Sequence, residues 1–593
     1  MSREPSARGF GGRAIIEEPS SLLEIGAAKV DITAFEPGMW MLGWGHPRNA
    51  IAGVGMPLHA RAVVLRDPAQ DRKVAYLCAD LCFITLLLRR RVMAMLRELD
   101  LGLGEHNTML TATHTHSGPN GFSGHLYHNI SAPGFSDHVF RTLAEGLTAA
   151  LREADRRREP ARVHYHTGEV PLTQPIMFNR SVDAYNRNAD VAAVPRDRRD
   201  EALDRTMRLL RFDDAHGRPV GALSWLPLHP TTIHYDNQLL HPDHKGIAAD
   251  QVERWARERF GARDFVAIFA QEASGDATPN YRHHRGRGLV VGRYDDDLRS
   301  AEYCGAAQAR LARRLIEEAP LEGTEIHGPI GAVVRYAPLA NRTVEARFTD
   351  GVRERTTTSA RIGLAMALGT DEGPGPLFRL QWLPKWLRDR KARALEGTRG
   401  EDPKVPFVDL GLGRRGRLFD TIAVENDLLA RLPAPAMAHF RKLMRAQALG
   451  DEWVPGVLPV QLLRLGPLLV AGLPCEPSGV AGRRLRATLR AASSAPVLDV
   501  VVNGYANAYA SYLCTPEEYQ EQHYEAACTL FGPWTLAAYQ AELAALAARL
   551  ADEPVDEHDL GVEPPPPELA QLGLGRFVRP GSNEAFEQAS SSR

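Results

Sequence analysis

The sequence predicts an α/β fold: one large domain with mixed β-sheets flanked by helices, and ligand-capable side chains gathered at the C-terminal ends of strands. Three observations carry this expectation. From Ile25 onward, short apolar runs alternate with stretches of helical period. Two of those stretches carry a single apolar stripe. Several apolar runs end directly in histidine, glutamate, aspartate or tyrosine.

The elements follow in order. Residues 74–80, VAYLCAD, read as a buried strand, and residues 108–112, TMLTA, as another. Val139, Leu143, Leu147 and Leu151 recur every fourth residue and define one helix face, with Ser136 or Asp137 as its cap. Further strands are expected over 220–228, 265–270, 468–471 and 497–502, and a helix over 480–491. A last helix, 536–550, aligns Leu536, Tyr539, Leu543, Leu546 and Leu550. Residues 1–24 read as a tail and 25–554 as the folded domain. Residues 555–593, with four consecutive prolines at 564–567, read as a second tail. Residues 341–416 are rich in Gly, Pro, Arg and Lys with a weak apolar pattern, and are expected to form long loops over a cleft, a candidate lid.

Composition narrows the function. Hydrophobic residues make up 44% and charged residues 24% of 593, the balance of a soluble globular chain. With 71 basic and 73 acidic residues the formal charge is -2, so no charge excess points to nucleic acid or an anionic membrane as partner. The six cysteines form no CxxC pair and are expected to be reduced thiols. No apolar h-region opens the chain and no window reaches 18 uninterrupted apolar residues, so a cytoplasmic protein without a membrane span is expected.

The strand ends hold the candidate chemistry. His114 and His116 lie two apart just beyond residues 108–112, a spacing that puts both rings on one side of an extended chain. His229 follows the run ending at Leu228, with His234, His241 and His244 as competitors. The segment HPDHKG, 241–246, fits a metal site or an ordered loop. Residues 265–270 lead to Glu272, Ser274 and Asp276, residues 468–471 to Glu476, and residues 497–502 to Asn503, Tyr509 and Tyr512. Imidazole and carboxylate are the ligands of a catalytic zinc, which keeps one position for water. Taken singly, each residue also has an ordinary structural reading. No GxSxG elbow surrounds Ser274, which disfavours a serine hydrolase.

Seven segments tip the balance. They are ATHTHSGPNGF (112–122), FNRSVDAYNRN (178–188), LHPTT (228–232), SGDATPN (274–280), GTDEGPG (369–375), LPCEPSGVAGRRLR (473–486) and YLCTPEEYQEQHYEAACTLFGPWTL (512–536). Together they resemble the neutral/alkaline non-lysosomal ceramidase family along roughly residues 25–550. The resemblance implies zinc-dependent hydrolysis of the amide bond of an N-acylated, lipid-like amine. It implies zinc held by His114, His229, Glu476 and Tyr512, with Tyr509 the nearby competitor for the last place. His116 would stand beside the reacting water as general acid and oxyanion partner, with Arg180 and Tyr524 lining the site. Thr278 takes the position of the family's serine and would meet a substrate hydroxyl or the attacking water. Asp80 is a candidate to orient a histidine, and Arg483 or Arg484 to hold Glu476. The family's C-terminal β-sandwich is not expected within these residues, which favours a soluble substrate. Two other readings follow: a cytoplasmic amidase or amide-forming acyltransferase on a non-sphingoid substrate, and a non-catalytic binding protein on the same fold.

Overall fold

The computed structural model describes residues 22–125, 127–129, 134–375, 402–404, 406–410 and 454–551. Residues 1–21 of the expected N-terminal tail, the whole expected C-terminal tail and residues 376–401, 405 and 411–416 of the loop-rich stretch lie outside the described residues. Eight strands form the body of a large sheet: β1 (Leu23–Asp31), β2 (His59–Asp67), β3 (Arg72–Ala79), β4 (Thr108–Ala112), β5 (Glu159–Glu169), β6 (Thr206–Asp214), β7 (Pro219–Trp225) and β8 (Val266–Ala270). Their order is β8-β7-β6-β5-β1-β2-β3-β4, and a short strand, Thr324–Glu325, pairs with β5. A second sheet has the order β9-β10-β11-β12, formed by β9 (Ile330–Pro338), β10 (Val457–Leu465), β11 (Leu468–Gly472) and β12 (Asp499–Asn503).

Alternation along the strands stacks the two sheets. In β3, Val74, Tyr76 and Cys78 enter a core shared with Leu463 and Leu465 of β10, Val470 of β11 and Val501 of β12. Ala75, Leu77 and Ala79 point the other way, onto helices α1 (Leu86–Glu98) and α2 (Asp137–Arg156). Near β7 and β8, that outer face is covered by α3 (Asp243–Phe260) and α4 (Asp297–Glu322). The outer face of the second sheet packs on α5 (Gly479–Ala492) and α6 (Thr535–Ala551). The result is four layers: helices, sheet, sheet, helices. Leu143 and Leu147 of α2 are fully buried, and each such side chain contributes about 1.5–3 kcal/mol. Ser136 caps this helix, its Oγ accepting from the Val139 N–H at 3.2 Å.

The predicted elements exist, with shifted ends. The strand expected over 220–228 stops at Trp225, and the last helix runs Thr535–Ala551. The β1 strand starts at Leu23, two residues inside the expected tail. The segment HPDHKG is not a loop, because α3 begins at Asp243, whose carboxylate sits in the first turn where the helix dipole favours it. All six cysteines are buried and free. Among the described residues no helix is long and apolar enough to cross a membrane.

Most neighbours in the two sheets are antiparallel, but three pairs are parallel: β3 with β4, β7 with β8, and β11 with β12. Ligands of α/β sheets bind beyond the carboxyl ends of such strands. The chain leaving these six ends supplies Cys82, His114, His229, Ser274, Glu476 and Tyr505, which meet between the sheets' edges.

Candidate active site

His114 is placed by backbone bonds beyond the end of β4. Thr113 N–H donates to Ala79 O and His114 N–H to Leu81 O, both at 2.9 Å. His114 takes φ +72°, a left-handed conformation uncommon outside glycine, so the convergence of the histidine pair does not come from strand alternation. Its Nδ1 lies 2.6 Å from Cys82 O and donates there, which leaves the Nε2 lone pair facing inward. His229 is held the same way, Nδ1 donating to Ser274 O at 2.8 Å. The two Nε2 atoms end 3.1 Å apart. Glu476 Oε2 lies 3.1 Å from His229 Nε2 and 3.5 Å from His114 Nε2.

This donor set fits a metal ion. Two imidazole lone pairs and a carboxylate oxygen face one another within 4.8 Å, in residues no more than 2% exposed. Burial pushes the His114 imidazole down to about 3, so a proton between the rings does not relieve the contact at neutral pH. Burial alone would raise the Glu476 carboxyl, but His114, His229 and the Tyr509 hydroxyl outweigh it and hold it far below the usual carboxylate range. A desolvated cluster of this kind calls for a cation, and its N, N, O donors suit zinc.

Tyrosines from the chain after β12 surround the carboxylate. A short parallel pairing of Glu476–Pro477 with Tyr512–Leu513 sets Glu476 opposite Tyr512. Tyr512 OH lies 3.5 Å from His229 Nε2. Tyr509 OH donates to Glu476 Oε1, and Tyr505 OH donates to Oε2 at 3.2 Å. Tyr505 also stacks on the His114 ring at 4.1 Å, and Tyr509 on Phe83 at 3.9 Å. Tyr509 is therefore committed to orienting the carboxylate, whereas Tyr512 stands next to the histidine pair.

Charged and aromatic groups make the outer half. His116 Nε2 is 3.1 Å from His114 Nε2, and its ring meets Trp44 edge-on at 5.0 Å. Gly43 lies against that ring, where a Cβ would come within 2.5 Å. Arg180 donates to Gly275 O, and from Nη2 to Tyr512 OH at 3.3 Å. It also faces Glu372 at 3.6 Å and Glu525 at 3.4 Å. The Tyr524 ring meets Tyr512 edge-on at 5.5 Å. Thr278 is buried, its Oγ1 accepting from Asn280 N–H at 3.0 Å.

The chain matches the family described as "Neutral/alkaline non-lysosomal ceramidase, N-terminal" over residues 23–381 and 433–541. It belongs to the neutral/alkaline non-lysosomal ceramidase family. Similar proteins include the neutral ceramidase of Pseudomonas aeruginosa, 33% identical over 534 residues, covering 89% of this chain and 72% of that one. The neutral ceramidase of Mycobacterium tuberculosis is also 33% identical, over 543 residues, covering 90% and 77%. The crystal structure of the P. aeruginosa enzyme matches with a TM-score of 0.71 and 31% identity, covering 89% of this chain and 74% of that one. A structure described as ceramidase complexed with C2 matches with a TM-score of 0.72 and 32% identity, covering 90% and 76%.

Within this ceramidase fold all eight sequence-predicted site residues gather in one place, but two supporting expectations change. Asp80 accepts from His59 N–H at 2.9 Å and Arg61 at 3.0 Å, so it serves the sheet; backbone carbonyls orient the histidines instead. Arg483 and Arg484 reach outward to Asp190, and Arg484 also to Glu517, while tyrosine hydroxyls hold Glu476. The competing histidines are structural. His244 Nε2 donates to His229 O at 2.8 Å, His234 Nε2 to Val290 O at 3.1 Å, and His241 Nδ1 accepts from Asp243 N–H at 2.9 Å. Sequence reasoning missed Tyr505, Glu372 and Trp44. Tyr505 had a signal, since it is the second residue after β12.

Proposed function

We propose that this chain is a zinc-dependent amide hydrolase that cleaves an N-acylated, lipid-like amine, with ceramide, split to a sphingoid base and a fatty acid, as the leading substrate. The observation that carries this reading is the buried His114, His229 and Glu476 set with Tyr512 beside it, in a chain of the ceramidase family. The relatives named as neutral ceramidases, and the related ceramidase complexed with C2, support the substrate class.

His114 Nε2, His229 Nε2, Glu476 Oε2 and the Tyr512 hydroxyl would hold the metal. Zinc bound there supplies a water acidic enough to ionise near neutral pH and polarises the scissile carbonyl. Burial and the neighbouring imidazoles push His116 well below its ordinary value, so it is neutral at rest; its Nε2, 3.1 Å from His114 Nε2, is placed to take a proton from the attacking water. The same nitrogen then returns the proton to the departing amine, which an amide needs because a free amide anion is a poor leaving group. Arg180 and Tyr524 offer donors to the oxygen that gains charge as the carbonyl becomes tetrahedral. Thr278 offers its hydroxyl to a substrate hydroxyl. Backbone anchoring of both metal-facing rings means little reorganisation is needed during reaction.

The test is turnover of a panel of ceramides, N-acyl amino acids and N-acyl alkylamines by purified protein with and without zinc. Zinc-dependent release of fatty acid from ceramide is the expected result. Turnover of the non-sphingoid amides alone would replace ceramide with another acylated amine, and no turnover of any amide would sink the reading.

A further inference from the structure

We infer that Trp44 is a positioning residue for the proposed reaction: its indole holds the His116 ring with Nε2 toward the reacting water, a task that backbone carbonyls perform for His114 and His229. This rests on the amide-hydrolase reading and deepens it.

The three histidines of the site are not held alike. His114 and His229 each donate from Nδ1 to a backbone carbonyl. The Nδ1 of His116 is buried and has no hydrogen-bond partner among the described residues. The outer torsion of a histidine is broad and roughly two-fold, and half a turn exchanges Nε2 with Cε1. Packing therefore has to keep Nε2 in its place, 3.1 Å from His114 Nε2. The packing comes from the segment Leu42–Trp44. Leu42 pairs antiparallel with Gly118 and Gly43 with Ser117, so the same register sets Trp44 opposite His116. Gly43, at φ +121°, leaves room for the imidazole, whose Cγ lies 2.5 Å from where a Cβ would be. The Trp44 ring then meets His116 edge-on, with centroids 5.0 Å apart and planes at 75°.

Trp44 has little freedom of its own. Its Nε1 donates to Ile233 O at 3.1 Å. Its ring stacks on His234 at 5.8 Å, and His234 is fully buried, with Nε2 on Val290 O at 3.1 Å and Nδ1 facing Asp297 at 3.0 Å. A hairpin adds a further contact. Gly369 pairs with Pro374 and Thr370 with Gly373, so Asp371 and Glu372 form its tip. Gly373 lies so close to the indole that a Cβ there would collide with the ring. A hydrogen bond, a stacked ring and a backbone contact thus fix an indole that in turn fixes an imidazole. A proton carrier displaced by about 1 Å costs on the order of 100-fold in rate, so this clamp matters to the chemical step.

The test is a double-mutant cycle on zinc-loaded protein: wild type, Trp44→Leu, His116→Ala and the double variant, with Trp44→Phe alongside. Trp44→Leu should lower kcat for amide hydrolysis by about 100-fold, with KM changed less than about 3-fold and zinc content unchanged. Trp44→Phe keeps a flat ring against His116 and should lose only about 5- to 10-fold; it carries the cycle if the leucine variant does not fold. In the His116→Ala background neither Trp44 change should cost anything further, because the group it positions is gone. A second readout is independent of turnover. In protein labelled with carbon-13 at histidine Cε1, the His116 signal, assigned through His116→Ala, should be shifted by the indole ring current in wild type and lose that shift in Trp44→Leu. If the Trp44 changes cost the same in both backgrounds, or the signal stays where it is, Trp44 only supports the fold, and this inference falls while the hydrolase reading stands. If wild type cleaves no amide, the hydrolase reading falls, and the signal alone decides whether Trp44 holds His116.

Discussion

The inner and outer halves of the site are built by different means. The inner half, His114, His229 and Glu476, follows the ends of three strands that belong to parallel pairs, β4, β7 and β11, and both rings are pinned to backbone carbonyls. The outer half, Arg180, Thr278 and Glu372, comes from two-residue strand pieces and a hairpin tip, and its main contacts are ion pairs and side-chain bonds. The first arrangement fixes lone pairs in space, as a metal requires. The second arranges charge around a substrate, where fit matters more than a fixed coordination geometry.

The contrast sets an order of effects. Glu476→Gln removes the only carboxylate from the inner set and should lower amide hydrolysis by on the order of 1000-fold or more, with loss of bound metal. A variant that keeps its metal and loses rate would move Glu476 from holding the ion to handling protons. Arg180→Lys keeps the charge but loses the planar guanidinium, whose Nη2 donates to Gly275 O and Tyr512 OH while Nη1 and Nε face Glu372 and Glu525. It should cost about 100-fold in kcat with metal content unchanged. Metal loss in that variant would break the division into two halves. Tyr509→Phe removes the hydroxyl that orients Glu476 Oε1 and should weaken metal affinity by about 10- to 100-fold, read by competition with a chelator, while kcat at saturating metal changes less.

The smallest effect concerns the frame beneath the inner half. Lys245 is fully buried, and its Nζ donates to Leu226 O at 3.0 Å and Ala270 O at 2.9 Å, at the ends of β7 and β8. Burial pushes its ammonium down to about 7 from an ordinary 10.5. Between these two values the unfolded chain binds more protons than the folded one, so this residue's contribution to stability rises with pH, by at most about 1.4 kcal/mol per pH unit. Lys245→Met should remove that rise, seen as a gap in denaturant midpoint between variant and wild type that widens in favour of wild type from pH 7 to pH 9. A gap that stays constant would mean that the folded chain keeps this lysine charged over the whole range.

The two halves also differed in how far the sequence revealed them. The strand over 108–112 and the apolar runs before His229, Glu476 and Tyr512 marked these residues only as candidates among several, and the seven-segment resemblance selected the four of them. Their convergence was not legible, because it depends on sheet order: β1, first in the chain, sits mid-sheet between β5 and β2. Orientation was harder still. Asp80 reads as a histidine's partner by its position at a strand end, yet the register of β2 on β3 gives it to Arg61 and His59. Glu372 was visible only as one residue of a glycine-rich loop. What brings it to Asn280 and Arg180 is a hairpin seated on Trp44, more than three hundred residues earlier, which no local period encodes.

Metal content tests the central claim most directly. Mass spectrometry of purified wild type and His114→Ala, after chelation and reloading with zinc, should find one zinc per wild-type chain, with amide hydrolysis lost on chelation and restored on reloading. The variant should hold no zinc and show no hydrolysis. A His114→Ala protein that keeps both bound zinc and full activity would contradict the site.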